Sequence, residues 1–456
     1  MKKVIFLIAV AAYFVVYGYT TLTVYECLSV ALFVFFILRF VDDLGKKLVI
    51  LDVAIIIALI TCLLLPIAGY HFFTSTNMQS KVWVNFMRVP SADYYSFMFP
   101  ATLAMMLGMK LPVFYQKITF RNQVQYMINV KTYLAQTKWQ GLILVVIGLV
   151  ASVAKNYVPS SLAFVSFLLS YLMFVGIFYC LYSNMPFKRS ILIAVFGVLI
   201  VRSILGGMFG EMIFMGALTI ILLVLGYRIS FTKKFLILVA GIFGIIILQA
   251  IKPGLRKQTW SGKNKGNEIA IFSDLIKEKI SDPASILDDK RMLFLMYARF
   301  NQGQIISNVL YSVPARFPYA NGETIATSLA ASIVPRVIWA DKPEAGGAYN
   351  FQRFLGIKLK GWSANVSPFG EAWGNFGRIG GIIFMFFFGL LFNFFLFYLL
   401  KVAVNYPSII LWFPYLFFYA VSIENDVLTM VNSFSKAAIF TYFFYRVFPK
   451  IFGLKI

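Results

Sequence analysis

Twelve apolar runs punctuate this chain, near residues 4–17, 22–39, 48–70, 94–111, 139–154, 160–182, 190–206, 208–227, 235–251, 379–400, 407–422 and 432–449. A helix needs about 20 mostly apolar residues to cross the hydrocarbon core of a bilayer. A spanning segment must also satisfy its own backbone, which leaves helices or closed barrels. These runs are too long and too continuous for barrel strands. Nor can a soluble globule bury them, since 60% of the 456 residues are hydrophobic and 13% charged. The expectation is an all-α polytopic membrane protein with about twelve transmembrane helices. The first run follows Lys2 and Lys3 like a signal peptide, but Tyr17, Tyr19 and Val24 stand where a small-residue cleavage site belongs. It reads as a retained span.

Charge orients the chain. With the N-terminus inside, the inner stretches hold 19 Lys/Arg: Lys2, Lys3, Arg39, Lys46, Lys47, Lys110, Lys117, Arg121, Lys131, Lys138, Lys188, Arg189, Arg228, Lys233, Lys234, Lys401, Arg446, Lys450 and Lys455. The short outer stretches hold four, Lys81, Arg88, Lys155 and Arg202. That asymmetry predicts both termini on the cytoplasmic side. Lys436 falls inside the last run.

Three regions follow. Residues 1–251 form an N-terminal bundle of about nine spans, 252–378 a long extracytoplasmic loop, and 379–456 a C-terminal bundle of about three spans. The loop carries 17 basic and ten acidic residues, and loops of this length escape the charge rule. Lys263–Gly266 is polar and Gly/Lys-rich, as in a flexible linker. Ile269, Phe272, Ile276 and Ile280 then recur at helical spacing, and a second helical stretch from Ile286 to about Val313 carries Arg291, Arg299, Asn301 and Gln304. That stretch is too polar to span and suits the membrane interface or a lid. A short helix is expected from Ile325 to Val334, stopped by Pro335.

The net charge of +23 does not indicate nucleic acid, because the basic residues sit between apolar runs, where lipid headgroups account for them. Cys27, Cys62 and Cys180 lie in apolar runs without metal or disulfide spacing. The single histidine, His71, reads as an interfacial residue, so neither a metal nor another cofactor is expected.

Polar chemistry concentrates in the outer loop, in Ser332–Gly347 (SIVPRVIWADKPEAGG) and Ser367–Gly377 (SPFGEAWGNFG). With Val334-Pro335-Arg336, Trp339-Ala340-Asp341-Lys342-Pro343, the Gly370-Glu371 pair and Asn375-Phe376-Gly377, the sequence resembles the Wzy-type oligosaccharide repeat-unit polymerases. The resemblance covers about a hundred residues by motif and the rest by topology. It implies a GT-C-like membrane fold in the bacterial cytoplasmic (inner) membrane, with an active site on the periplasmic or outer face. It also implies transfer of a growing glycan from polyprenyl pyrophosphate to another lipid-linked repeat, with no metal. The implied partners are those lipid-linked oligosaccharides, membrane lipids, and a chain-length regulator and flippase of the same pathway.

The chemistry of that transfer names candidates. Charge develops on phosphate oxygens as the sugar–pyrophosphate bond breaks, and arginine forks stabilise it. Arg202, Arg299, Arg316, Arg336 and Arg353 are the outer-side arginines proposed for this, with Lys342 in the same turn as Arg336. Arg202 sits in an apolar run, where Glu211 is its expected partner. An acceptor hydroxyl also loses a proton to a base. Glu371 is the first choice, placed at the membrane mouth, with Glu323 and Asp341 as runners-up. Trp339, Trp362 and Trp373 suit headgroup anchoring or stacking on a sugar. An O-antigen ligase and a lipid-linked oligosaccharide flippase are the alternative readings.

Overall fold

The computed structural model describes residues 2–74, 87–112, 123–154, 157–158, 163–260, 267–336 and 338–453. Lys81, Lys117, Arg121, Lys155, Lys455 and the Lys263–Gly266 stretch lie outside them. The described residues are helical throughout, with no strand and one isolated bridge between Leu44 and Lys47.

Eight helices are long and apolar enough to cross a bilayer: Lys2–Tyr19, Val24–Asp43, Ile50–His71, Phe164–Tyr182, Lys188–Gly206, Phe231–Thr259, Ser367–Asn405 and Val427–Phe452. This is a multi-pass membrane protein. The four other apolar runs are helical but shorter, more polar or broken. Ser91–Lys110 is continuous, Gly210–Leu223 has 14 residues, and Pro407–Phe417 starts as a 3-10 turn. Gln140–Ala154 meets Gln123–Ala135 at a 93° bend.

The third span shows how a membrane helix absorbs a proline. Pro66 has no N–H for the carbonyl of Cys62, four residues back, and the helix widens into a π segment over Leu59–Leu64 just before it. The freed carbonyls are taken up by a neighbour. Tyr94 Oη donates to the Cys62 carbonyl at 2.7 Å and Tyr95 Oη to the Leu63 carbonyl at 2.6 Å, both from the Ser91–Lys110 helix. In lipid, no water would serve instead.

Close helix packing rests on small residues. Gly108 and Gly389 face each other across Ser91–Lys110 and Ser367–Asn405, and a Cβ on either would strike the opposing backbone. Asn393 Nδ2 closes that contact by donating to the carbonyls of Gly108 (3.1 Å) and Leu111 (2.8 Å). Gly141, Gly148 and Gly176 do the same between Gln140–Ala154 and Leu172–Tyr182. Lys436, inside the last span, lies 4.0 Å over the Phe164 ring.

The segment expected as an extracytoplasmic loop, residues 252–378, is a folded layer where described. Glu268–Ser281 and Glu323–Ile333 are helices, as the periodicity predicts. The expected helix from Ile286 to Val313 is instead three pieces, Ser285–Asp288, Lys290–Phe300 and Gln302–Ser312. The last break falls at Asn301, whose φ/ψ of −79°/88° is not helical and whose amide bonds Tyr297 Oη at 2.6 Å. A further helix, Ala348–Leu355, is not among the expected elements.

This layer sits on one end of the bundle. Ser307 Oγ accepts from the backbone N–H groups of Arg88 (2.7 Å) and Val89 (3.2 Å), next to the start of Ser91–Lys110. The approach to the tenth apolar run is helical from Ser367 and bends at Gly377, where φ 65° and ψ −158° suit only glycine. Ser367–Asn375 is nearly all buried and belongs to the layer, and the exposed apolar side chains begin at Phe376, beside the bend.

Candidate functional site

The turn before the last helix, residues 422–426, is the hinge point of the site. Asp426 caps that helix through Thr429 N (2.9 Å) and accepts a 3.0 Å bond from Asn350 Nδ2. Asn365 Nδ2 contacts Asn425 Oδ1 at 3.5 Å, and Gly346 N donates to Thr429 Oγ1 at 3.0 Å. The outer layer is thus pinned to the turn through three of its own segments. Burial pushes the Asp426 carboxyl up, opposed by its bonds to Thr429 and Asn350.

Glu371, expected at the membrane mouth, is instead fully enclosed at 0% exposure. One oxygen accepts from Val427 N at 2.6 Å, the other from Thr324 Oγ1 at 3.2 Å. Asn375 ties the arrangement together: its Nδ2 reaches Thr324 Oγ1 (2.7 Å) and the Glu371 carbonyl (2.8 Å), and its Oδ1 accepts from Gly322 N (3.0 Å). The Glu371 carboxylate therefore joins three elements: the long helix, the Glu323–Ile333 helix and the start of the last helix. In sequence it looks like a helix-start acid. The orphan donor it caps belongs to another helix, 56 residues away.

On one side of the turn lies a charged basin. Arg299 Nη1 stands 3.9 Å from Glu424 Oε2. Lys252 and Arg256, from the end of Phe231–Thr259, join it: Arg256, Arg299 and Glu424 are the charges acting on Lys252, and Arg299 acts on Arg256. Arg256 is oriented by a 3.0 Å bond from Nε to the Gly207 carbonyl and by stacking 4.4 Å over Trp260. Two cations, Arg299 and Lys252, therefore act on one carboxylate, with Arg256 beside them. The Glu424 side chain keeps 23% exposure, and burial raises its pKa against the pull of Arg299 and Lys252. Sequence reading proposed Arg299 but missed Lys252, Arg256 and Glu424. The two basic residues close an apolar run, and Glu424 is brought to them from 172 positions beyond Lys252.

Beside the Ala348–Leu355 helix opens a cleft of about 660 Å³, lined by Trp339, Asp341, Tyr349, Gln352, Lys358 and Lys360 among others. Trp339 and Asp341 were expected near a substrate. Tyr349 and Gln352 come from Ala348–Leu355, the helix that periodicity did not reveal. An indole and a phenol beside amide, carboxylate and ammonium groups suit a sugar, whose ring offers an apolar face and whose rim offers hydroxyls.

The other predicted residues are placed as follows. Arg336 is exposed and paired locally, Nη1 to the Ala340 carbonyl (3.1 Å) and Nη2 to Glu344 Oε1 (3.2 Å). Lys342 is buried and ends the Glu323–Ile333 helix, its Nζ donating to the carbonyls of Ala331 (2.7 Å) and Val334 (2.6 Å); burial lowers its pKa, and the nearby Arg336 adds to this. Glu323 accepts from Arg353 Nε (3.2 Å) and Tyr349 Oη (3.1 Å). Arg316 and Arg88 both stack on Tyr311, at 5.2 and 5.1 Å. Arg202 does not pair with Glu211: its Nη1 donates to Ser152 Oγ at 2.8 Å, and Glu211 hydrogen-bonds Tyr171. Trp373 is fixed by a 2.9 Å bond to the Val313 carbonyl, whereas Trp362 is exposed. His71 Nε2 meets buried Glu26 Oε1 at 3.0 Å, and Ser91 Oγ donates to the same oxygen at 2.7 Å.

A family model described as a domain of unknown function, DUF8712, matches residues 116–398, which span the second half of the N-terminal bundle, the folded layer and most of the long helix. No curated protein and no solved structure matches the chain.

Proposed function

For a chain that belongs to the DUF8712 family by a match over more than half its length, we propose the function of a polysaccharide repeat-unit polymerase. It moves a growing glycan from polyprenyl pyrophosphate onto another lipid-linked repeat at the outer face of a bacterial cytoplasmic membrane. In this reading the twelve apolar runs are twelve crossings of a GT-C-like bundle, both termini are cytoplasmic, and the folded layer is extracytoplasmic.

The observation that carries the proposal is the basin in which Arg299 stands 3.9 Å from the Glu424 carboxylate, with Lys252 also acting on it and Arg256 beside the two cations. The chemistry needs cations and a base within reach of one another. The acceptor hydroxyl oxygen attacks the anomeric carbon, the bond from that carbon to the diphosphate oxygen breaks, and polyprenyl diphosphate leaves. Glu424 takes the hydroxyl proton, and the three cations stabilise the departing charge in a low-dielectric setting. The aromatic cleft around Trp339 and Tyr349 holds the glycan. Glu371, enclosed and committed to Val427 and Thr324, holds the last helix and the layer in register.

The reading is tested by deleting the gene in its host and resolving surface and lipid-linked glycans by electrophoresis. Single repeats without a ladder support the polymerase. A full ladder stranded on the polyprenyl carrier points to a ligase instead. Loss of every outer-face glycan, with repeats trapped inside, points to a flippase and removes the catalytic reading. Re-expressed Arg299→Ala should leave single repeats while the protein still reaches the membrane.

A further inference from the structure

The far end of the bundle from the outer layer carries a second charged pocket. The end of Val24–Asp43 and the turn after it contribute Arg39, Lys47 and Leu48, and the start of the third span contributes Leu51 and Asp52. The end of Ser91–Lys110 adds Met109 and Lys110, and the long helix adds Leu396. Together they enclose about 160 Å³.

The charges are unevenly matched. Lys110 Nζ contacts Asp52 Oδ1 at 2.7 Å, and Asp52 is 2% exposed. Asp43 is shared by Lys47 Nζ at 2.7 Å and Arg39 Nε at 3.5 Å. Three cations thus converge on two carboxylates. Just outside, Lys46 pairs with Asp42, and Lys234, 4% exposed, donates to the Asp42 carbonyl at 3.2 Å, so the surroundings add a further positive charge. Gln123 supplies an independent sign of polar demand at the same wall. It is 1% exposed, its Oε1 accepts from Leu48 N at 2.6 Å, and its buried Nε2 donor has no hydrogen-bond partner among the described residues.

We propose that this pocket recognises the phosphate of an anionic phospholipid in the leaflet at that end of the bundle. All its charged residues lie at or next to helix ends, the depth at which headgroup phosphates sit. The guanidinium of Arg39 and the ammonium groups of Lys47 and Lys110 converge as a phosphate requires, and Leu48, Leu51, Met109 and Leu396 give an apolar wall for the first part of the acyl region. A phosphate there restores the balance that two carboxylates leave short. The inference is independent of the glycan chemistry at the other end.

The test uses the full-length protein in a neutral detergent, titrated with short-chain phosphatidylglycerol, with phosphatidylcholine of equal chain length, and with inorganic phosphate. Bound lipid is counted by native mass spectrometry, and the unfolding midpoint is followed by tryptophan fluorescence. Phosphatidylglycerol should bind saturably and raise the midpoint, and the other two should not. The double variant Arg39→Gln/Lys47→Gln should bind phosphatidylglycerol about thirtyfold more weakly, as expected for losing two cations near an anionic headgroup. Asp43→Asn should bind it more tightly, because it removes a carboxylate that competes for Arg39 and Lys47. If the double variant does not fold, the Asp43 variant decides alone. A midpoint shift by inorganic phosphate equal to that of phosphatidylglycerol would make this a soluble-anion site and overturn the lipid assignment. Unchanged or weaker binding by Asp43→Asn would reduce the cluster to a structural ion-pair network.

Discussion

Glu371 and Glu424 separate two things an enclosed carboxylate can do. Glu371 has each oxygen occupied by a donor of the chain itself, and a glutamine can keep the carbonyl that accepts from Val427 N. Glu371→Gln should therefore retain near-normal product and a near-normal unfolding midpoint. Glu371→Ala should destabilise by about 1–3 kcal/mol through the stranded donors. Glu424→Gln behaves oppositely, abolishing product while the unfolding midpoint barely moves. Burial raises the Glu424 pKa, and a base works only when ionised. Polymer formation should thus fall, as pH drops, at a higher pH than an ordinary carboxylate would set. The linked stability runs the other way: the folded state holds the proton more tightly, so this group's contribution declines as pH rises from the ordinary carboxylate range through the raised pKa. A pH profile of product from wild type, set beside its unfolding midpoints, checks both signs. The sequence pointed to the loop that holds the basin and to Arg299 within it, and named Glu371 as base, which the structure encloses between Val427 and Thr324. Spacing along the chain reveals a helix-start acid. It does not reveal that Glu424 and Lys252 meet, because that contact exists only once the last helix has packed.

Helices that pack through glycine leave little room for change. Gly108→Leu or Gly389→Leu inserts a side chain where backbones already touch, and each should prevent recovery of folded protein from detergent, as measured by gel-filtration monodispersity. Tyr94→Phe removes the hydroxyl that replaces the missing proline bond beneath the π segment, and should lower stability by about 1–2 kcal/mol. Elements of this kind explain which parts of the fold were readable. Most of each apolar run is helical where described, because lipid permits little else; the run at 407–422 is the exception, a 3-10 turn and a short helix followed by turns. The bend at Asn301 and the Ala348–Leu355 helix were not readable, since side chains from distant segments decide them. Asn301 Nδ2 reaches Met87 Sδ at 3.8 Å, and Asn350 answers to Asp426.

Across the whole molecule, chemistry is divided between the two ends of the bundle: a cleft and a basin at one, a cationic pocket at the other. Cys27, Cys62 and Cys180 are all buried, so single cysteines can be read against a quiet background. Lys358→Cys should react with a membrane-impermeant maleimide added to intact spheroplasts, and Lys46→Cys only after permeabilisation. Reaction of both from outside would reject the proposed orientation. The Glu371–Val427 bond has a further consequence, for biogenesis. The acid leaves the ribosome 56 residues before the amide it caps, so the layer it belongs to is made before that support exists. The turn at residues 422–426 and its charged basin are then assembled only once Val427–Phe452 has been synthesised, so a chain cut short before that helix should lack the basin.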